Sequence, residues 1–432
     1  MNTEMIALMM FVVLFLVLLT GFPVAFVLGG VSTIVGLLFV PDFLDFLPLR
    51  VMGTIQNYVL LAVPLFVFMG LTLERSGIAE ELLRSMGIMF GNLKGGLALS
   101  VVVVGTLLAA STGIVGATVI SMGLISLPFM IKKSYSIPLA TGVIASSGTL
   151  GQIIPPSVVL VLLGSVLNVP VGDLFRAAII PGMLLVVAYI VFIIVFAAMY
   201  PDKAPALPPE EIKAYKSENY TQKLIKAFLY PMLLILAVLG VIFTGIASPT
   251  EAAAVGALGA IILTFVQKKL SWSLLKDVSI ETTHLTSMVF MILLGAATFS
   301  LVFRGLGGDK MLVHMVESGQ LSAHQFLFLV MVVVFIAGFF IDFIEIIFII
   351  VPIVAPVFVK LHLDPLWIGI LLALNLQTSF LTPPFGFALF YLKGVAPPEV
   401  KTSDMYRGIV PFILIQLLVL ILVAVFPSLV VK

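Results

Sequence analysis

Cysteine is absent from this chain of 432 residues, and only 10% of its residues are charged. Without cysteine the chain forms no disulfide, thiolate zinc site or iron–sulfur cluster of its own. Soluble domains carry about 25% charged residues, so this sequence does not fit that class. The formal net charge of +1 offers no basic surface for nucleic acid. Neither a G-x-x-x-x-G-K-S/T phosphate loop nor a paired nucleophile and base occurs, which argues against an ATPase and an enzyme.

Hydrophobic residues make up 61% of the chain. Apolar runs of about 20 residues recur from end to end, which predicts an all-α polytopic membrane protein. The first run lacks the basic region and cleavage site of a signal peptide, so we expect a retained helix. Ten segments can cross a membrane if interrupted segments count once: 5–22, 24–40, 57–73, 138–167, 177–199, 227–244, 250–267, 284–303, 366–392 and 409–430.

Two further apolar stretches, 97–131 and 325–359, have a polar or small-residue cluster near the centre. We expect arms of about a dozen residues on each side, too short for a hydrocarbon core of about 30 Å. Each stretch is therefore predicted to be a re-entrant hairpin with its tip inside the membrane.

Polar breaks interrupt two of the crossing segments at matching places. A shift of 228 residues lays Pro155-Pro156 on Pro383-Pro384 without a gap. Breaks rich in Pro, Gly and hydroxyl residues at corresponding places in two halves indicate a transport site. A structural kink accounts for one such break but not readily for two.

Five crossings in each half predict an inverted repeat, with halves 1–199 and 227–432 in opposite orientations. With the N-terminus outside, 16 of the 22 Lys and Arg residues share one face, which the positive-inside rule assigns to the cytoplasm. Both termini are then periplasmic. The segment 200–226 is predicted to be a solvated cytoplasmic linker.

The breaks combine groups suited to a cation and to an anion. Pro155 and Pro383 leave carbonyls of earlier residues unpaired. These carbonyls can replace the water shell of a cation together with the nearby hydroxyl residues Ser147, Thr149, Ser157, Thr378, Ser379 and Thr382. The half-helix after each proline pair directs its positive end at the break, which favours an anionic group there.

The hairpin tips carry the other candidate ligands. Ser111, Thr112 and Gly113 begin a cluster of small and hydroxyl residues, which suits either ion binding or close helix packing. Asp342 and Glu345 lie three residues apart and so on one helical face. Ionisable groups within a membrane segment indicate function by default, although Glu345 could also reach water from a shallow position.

Glu251 is better explained by helix stability than by transport. Ser248, Pro249 and Glu251 occupy the N-cap, N1 and N3 positions of a capping box.

Three motifs identify a family resemblance. They are GTLGQIIPPS at 148–157, GIASPTEAAAVG at 245–256 and LLAVPLF at 60–66. They resemble the large membrane subunit of TRAP (tripartite ATP-independent periplasmic) transporters, and the similarity extends over essentially the whole chain. The Ser-Thr-Gly tip differs from the Ser-Gly-Ser pattern of sialic-acid members and looks more like branches associated with other organic acids.

The resemblance implies a Na⁺-coupled subunit in the bacterial inner membrane that imports an organic anion by an elevator mechanism. A periplasmic substrate-binding protein would deliver the anion, and a small four-helix membrane subunit would be the second partner. Ion sites where each hairpin tip meets its broken helix carry over to Ser111, Thr112, Gly151, Ile154 and Pro155, and to Gly338, Asp342, Thr378 and Thr382. The remaining break positions are assigned to the anion: Ser147, Thr149, Pro156, Ser157, Asn375, Ser379 and Pro384.

Two other functions stay open. One is a cation and carboxylate symporter that needs no binding protein. The other is a proton-conducting subunit of a membrane complex, which would require more charged residues along the membrane interior than Asp342 and Glu345.

Overall fold

The computed structural model describes residues 3–113, 115–215, 220–319 and 321–431, and the regular elements in these ranges are helices. The first part contains α1 (Thr3–Leu18), α2 (Val24–Phe39), α3 (Pro41–Leu44), α4 (Leu47–Ile55), α5 (Ala62–Arg75), α6 (Ile78–Met89), α7 (Gly96–Thr112), α8 (Val115–Lys132), α9 (Ile137–Thr149), α10 (Val158–Leu167), α11 (Val171–Met199) and α12 (Pro209–Tyr215). The second contains α13 (Tyr220–Phe243), α14 (Pro249–Val266), α15 (Trp272–Gly305), α16 (Gly308–Ser318), α17 (Ala323–Ala337), α18 (Phe343–Ile349), α19 (Val351–Lys360), α20 (Pro365–Leu381), α21 (Phe387–Val395) and α22 (Thr402–Val425).

Seven helices in the described ranges are long and apolar enough to cross a membrane, or eight if the bent pair α18 and α19 is one span. This confirms an all-helical polytopic membrane protein. They are Tyr58–Arg75, Val115–Lys132, Val171–Met199, Ile225–Phe243, Pro249–Val266, Trp272–Gly305 and Thr402–Val425. Six correspond to predicted crossings, whereas Val115–Lys132 was expected to be a hairpin arm.

The remaining four predicted crossings are shorter or interrupted helices, and their crossing of the membrane stays a prediction. Helices α1 and α2 have 16 residues each, which is about 24 Å. A turn with Gly21 at φ 84° follows the end of α1 at Leu18, so the helix does not continue to residue 22. The segments 138–167 and 366–392 each divide into two shorter helices at the break.

The predicted arm length of the hairpins is also wrong. Helix α7 has 17 residues and α8 has 18, because the small and hydroxyl residues near the tip are accommodated within the helices. In the second hairpin α17 has 15 residues, and the returning arm bends by 51° between α18 and α19. Arm length therefore does not carry the argument for re-entrance, which stays a prediction.

The elements of the two halves correspond under the shift of 228 residues. Helix α9 shifts to 365–377, within α20, and α10 shifts to 386–395, where α21 lies. The peptide bonds Pro155-Pro156 and Pro383-Pro384 are both cis. The packing of helices is related in the same way. Helix α2 packs against α15, and the corresponding pair is α14, which matches α2, packed against α5, which matches part of α15. The membrane orientation of the halves stays a prediction.

The linker is shorter and less solvated than predicted. Helix α13 begins at Tyr220 rather than near residue 227. The Ala204 carbonyl, which belongs to a buried residue, accepts a hydrogen bond of 2.8 Å from Gly95 N, and Leu207 N donates one of 2.8 Å to the Gly91 carbonyl. Ser136 N donates to the Lys203 carbonyl at 2.9 Å. The start of the linker is therefore attached to the loop before α7 and to the turn after α8.

Tyr135 connects that turn to the first hairpin. Its hydroxyl accepts a hydrogen bond of 3.2 Å from Leu97 N at the start of α7. Burial raises the pKa of this hydroxyl to about 12.

The capping box predicted at Ser248 and Glu251 is confirmed, with Ser248 N donating to Glu251 Oε2 at 2.8 Å.

Backbones approach most closely where α9 crosses α22. A Cβ atom at Gly408 would lie 1.9 Å from the carbonyl oxygen of Pro138, and one at Gly142 would lie 2.3 Å from the Gly408 carbonyl oxygen. Small residues permit such contact between membrane helices. The first half of one broken helix is therefore held against the last helix of the other half.

We expect Gly408→Ala to lower the free energy of unfolding by roughly 1–3 kcal/mol, because backbone atoms cannot yield as a flexible side chain does. Gly240→Ala in α13 is the control, since a Cβ there meets nothing within 4 Å. Alanine should stabilise that helix by up to about 1 kcal/mol. Thermal unfolding of the purified variants measures both, and equal melting temperatures would contradict the packing argument.

Candidate functional site

The first break is fully enclosed. Helix α9 ends at Thr149, a 3₁₀ turn covers Leu150–Gln152, and α10 begins after Ser157. The Ser157 hydroxyl donates to the Gln152 carbonyl at 2.8 Å and accepts from Leu160 N at 3.4 Å. The polar side chains here are fully buried: Ser146, Ser147, Thr149, Gln152 and Ser157.

The second break is more open. Helix α20 ends at Leu381, and Gly386, at φ 49°, precedes α21. Pro384 is exposed, and its carbonyl accepts a hydrogen bond of 2.8 Å from the Tyr406 hydroxyl. Pro156 at the matching place is buried. The two proline pairs therefore share a backbone conformation but not an environment.

Most of the predicted site hydroxyls donate their protons within their own helix. Thr378 Oγ1 donates to the Leu374 carbonyl at 2.8 Å, and Thr382 Oγ1 donates to the Thr378 carbonyl at 2.8 Å. Ser379 and Thr149 also donate to preceding carbonyls, both at 2.9 Å. A hydroxyl whose proton is used in this way still offers lone pairs. These groups are therefore suited to a cation and poorly suited to donate to an anion.

Three buried side chains of the breaks have polar atoms without a partner in the described residues. Both amide atoms of Gln152 and of Gln377 lack one, as does the Ser147 hydroxyl, and all three residues are 0% exposed. A buried polar group without a partner costs about 1–3 kcal/mol. Sequence analysis assigned Ser147 to the site but missed both glutamines.

The first hairpin tip meets the first break backbone to backbone. A Cβ at Gly151 would lie 2.6 Å from the Ala109 carbonyl oxygen of α7. At Gly113, with φ 61°, a Cβ would lie 3.1 Å from Val158 N. The tip therefore contacts both ends of the break. The side chains of Ser111 and Thr112 lie outside the described residues.

In the second half the glycine is on the hairpin instead. A Cβ at Gly338 would lie 2.1 Å from Ser379 Oγ. The shift of 228 residues pairs Gly338 with Ala110 and Ser379 with Gly151. The glycine at the tightest contact between tip and break thus lies on the broken helix in the first half, at Gly151, and on the hairpin in the second, at Gly338.

Asp342 and Glu345 close the start of α18. Asp342 Oδ1 accepts from Phe343 N at 2.6 Å, and Glu345 Oε2 accepts from Asp342 N at 3.2 Å, which completes a capping box. Both side chains are half-buried. Asp342 therefore has a structural task at the tip, and its second role as an ion ligand stays a prediction.

Tyr391 of α21 contacts the first hairpin, which its place in the sequence does not indicate. A Cβ at Gly116, near the start of α8, would lie 3.2 Å from its ring. A contact between segments so distant in the chain leaves no signal in the spacing of residues.

The other predicted residues are placed as follows. Ile154 faces α11, since a Cβ at Gly182 would lie 3.2 Å from Ile154 Cγ1, so only its backbone is free for an ion. Asn375 Nδ2 donates to the Met331 carbonyl of α17 at 2.8 Å, which joins the second break to its hairpin. Pro155 is buried within the first break.

Comparison with known proteins identifies the family. The family model of the tripartite ATP-independent periplasmic transporter, DctM component, matches residues 11–429. The chain belongs to this family. The resemblance in the three motifs is thereby confirmed, and the family consists of transport permeases rather than enzymes.

Relatives and a solved structure extend over the chain. The C4-dicarboxylate TRAP transporter large permease protein DctM of Pseudomonas aeruginosa is 32% identical over 402 residues, 93% of this chain and 91% of that protein. The isethionate TRAP transporter permease protein DctMQ of Oleidesulfovibrio alaskensis is 29% identical over 96% of this chain and 64% of that protein. The crystal structure of the Alcanivorax borkumensis YdaH transporter has a TM-score of 0.66 at 14% identity, covers 99% of this chain and 98% of that chain, and bears on the fold alone.

Exchanging the glycine between Gly338 and Ser379 tests how the tip of the second hairpin is positioned against α20. Gly338→Ala should displace the tip from α20 and lower both the melting temperature and transport, because the new Cβ overlaps Ser379. Gly338→Ala combined with Ser379→Gly copies the arrangement of the first half and should recover much of the loss. A double variant no better than Gly338→Ala would contradict this account.

Proposed function

We propose that this TRAP permease imports an organic anion together with Na⁺. The observation that carries the proposal is that some polar groups at the two breaks offer only acceptor oxygens, while others keep free donors. Hydroxyl lone pairs offer neutral oxygen ligands, while two glutamine amides and Ser147 keep uncommitted donors. A cation and an anion can therefore be held side by side.

Neutral oxygens favour a monovalent hard cation. Within the ranges that the structure describes, three or more His, Cys, Asp or Glu side chains never come together as a metal site. Divalent cations usually require carboxylate ligands. The ion sites proposed here are Ser111, Thr112, Gly151, Ile154 and Pro155 in the first half, and Gly338, Asp342, Thr378 and Thr382 in the second.

The anion is proposed to lie against the uncommitted donors. Of the positions assigned from the sequence, Ser147 is the best donor, because its hydroxyl has no partner in the described residues. Gln152 and Gln377 are added to that set. Relatives named for C4-dicarboxylates and for isethionate support a carboxylate or sulfonate substrate.

We further propose an elevator movement in which the hairpins and broken helices move together against the other helices. The glycine contacts, which hold each tip to its break, support a rigid moving block. The charge distribution supports an inverted repeat with both termini periplasmic in a bacterial inner membrane.

Two protein partners are proposed, a small four-helix membrane subunit and a periplasmic binding protein. The family name denotes a tripartite periplasmic system. This chain covers only 64% of the isethionate permease DctMQ, which leaves room there for a fused small subunit. Exposed apolar side chains on α4, such as Met52 and Ile55, offer a surface for lipid or for that subunit.

Proton coupling is the second candidate, because Asp342 and Glu345 lie together at the second tip, where Glu345 Oε2 accepts a hydrogen bond from Asp342 N. Reconstitution with the small subunit separates the candidates. Uptake of labelled organic acids that requires both an inward Na⁺ gradient and the binding protein supports the proposal. Uptake without the binding protein supports a self-sufficient symporter, and uptake that follows a proton gradient alone contradicts Na⁺ coupling.

We expect Thr382→Val to raise the half-saturating Na⁺ concentration about tenfold, which corresponds to about 1.4 kcal/mol of ion binding. Thr264→Val is the control. Thr264 is a buried residue of α14 that makes the same intrahelical hydrogen bond of 2.8 Å, to Ala260, away from the breaks. An equal effect of both variants on Na⁺ activation would remove Thr382 from the ion site. Asp342→Asn, which can retain the cap, tests the charge separately.

Gln377→Leu should weaken anion uptake while raising the free energy of unfolding by about 1 kcal/mol, because it removes a buried amide that has no partner. The same applies to Gln152→Leu. Gln416→Leu is the control, since Gln416 Nε2 donates to the Tyr189 hydroxyl at 2.8 Å, and its loss should lower stability without changing uptake affinity. Lower stability with unchanged anion affinity in the first two variants would show a structural role only.

A further inference from the structure

A cavity lies apart from both breaks. It has a volume of about 590 Å³ and is bounded by α4, the end of α10, α15 and the returning arm of the second hairpin. This is within the range of about 300–1,000 Å³ typical of small-molecule sites. Its lining contains neither the predicted ion ligands nor the anion-binding positions assigned above.

The cavity carries positive charge only. Arg50 of α4 and Arg304 of α15 line it, and Asp and Glu are absent from its lining. Within the described residues neither guanidinium forms an ion pair, whereas Arg75 is paired with Glu281 and Arg176 donates to the Phe243 carbonyl. Two unpaired like charges at a cleft raise the local concentration of anions.

Hydroxyl donors accompany the two guanidinium groups. Asn57 Nδ2 donates to Ser165 Oγ at 2.8 Å, which leaves the Ser165 proton free for another acceptor. Ser300 also lines the cavity. Carboxylates and sulfonates are recognised by such a combination, because the guanidinium group of arginine can donate two parallel hydrogen bonds to two oxygens of an oxyanion.

The walls belong to elements that the proposed elevator movement separates. Leu293 and Ala297 of α15 form one side, and Phe348 and Pro352 of the hairpin arm form the other. By the charge distribution, Arg50 and Arg304 are on the face poor in Lys and Arg, which is the periplasmic face of the proposed topology.

We propose that this cavity is a second, weaker site for an organic carboxylate or sulfonate, occupied on the way from the periplasm to the breaks. This inference rests on the proposed function for the direction in which the anion moves. Binding of the anion at the cavity does not depend on coupling to Na⁺, so the two can fail separately.

The absence of cysteine gives a direct test. Ser300→Cys places a single thiol in the cavity, and its rate of modification is compared for an anionic sulfonatoethyl and a cationic trimethylammonium-ethyl methanethiosulfonate. Thr20→Cys is the control, because Thr20 is exposed in a turn, 19–23, without charged residues. We expect the anionic reagent to be favoured at the cavity thiol by at least about fivefold relative to the control.

Removing the charge should remove that preference. Arg50→Gln with Arg304→Gln in the Ser300→Cys chain should bring the rate ratio to the control value, while lysine at both positions should retain most of it. Gel filtration of each variant in phosphatidylcholine nanodiscs establishes that it is folded. A preference that survives both glutamines would overturn the proposal.

Ligand protection separates two sources of oxyanion. Succinate, at constant ionic strength, should slow the modification of the Ser300→Cys variant in phosphatidylcholine nanodiscs and should have no effect once both arginines are glutamine. Protection by phosphatidylglycerol in the nanodisc, with no effect of succinate, would assign the cavity to a lipid headgroup and overturn the proposal. Protection by succinate in a chain that shows no Na⁺-dependent uptake would retain the cavity site and reject only the coupling.

Discussion

Lipid offers no hydrogen-bond partner to a peptide group, and the arrangement of this molecule follows from that constraint. A chain that interrupts two membrane helices at Pro155 and Pro383 must surround the interruptions with protein. The hairpins provide the cover, since Gly151 meets the Ala109 carbonyl and Gly338 meets Ser379. At the first break this cover leaves the polar side chains buried, whereas at the second break Pro384 is exposed.

Hydroxyl residues and amides contribute differently to such an enclosed site. Thr378 and Thr382 give their protons to the helix and keep their lone pairs, while Gln152 and Gln377 keep both donors and acceptors uncommitted. Buried amides without partners reduce stability. A ligand that satisfies these amides would therefore stabilise the contact between hairpin and break.

Composition and proline placement predicted the membrane class and the position of both breaks, because these depend on residue type and local backbone geometry, while the family was predicted from the resemblance of three motifs. Helix length was less predictable, since hydroxyl residues near position 111 continue a helix as readily as they end one. Spacing gave no sign that Tyr391 lies against Gly116, or that Arg50 and Arg304 line one cavity, because these arrangements join distant segments. The sequence also does not show whether a glutamine in a break has a hydrogen-bond partner.

The exchanged glycines have a consequence for how the two halves have evolved. In one half the small residue is on the broken helix, at Gly151, and in the other it is on the hairpin, at Gly338. If the halves descend from one duplicated ancestor, each has since fixed its own partner of the pair. Equivalent positions then carry opposite substitutions, so a symmetrised consensus of the two halves would combine alanine with serine, or glycine with glycine, at the same contact. Internal symmetry in this fold is therefore a property of the backbone and not of the sequence that fills it.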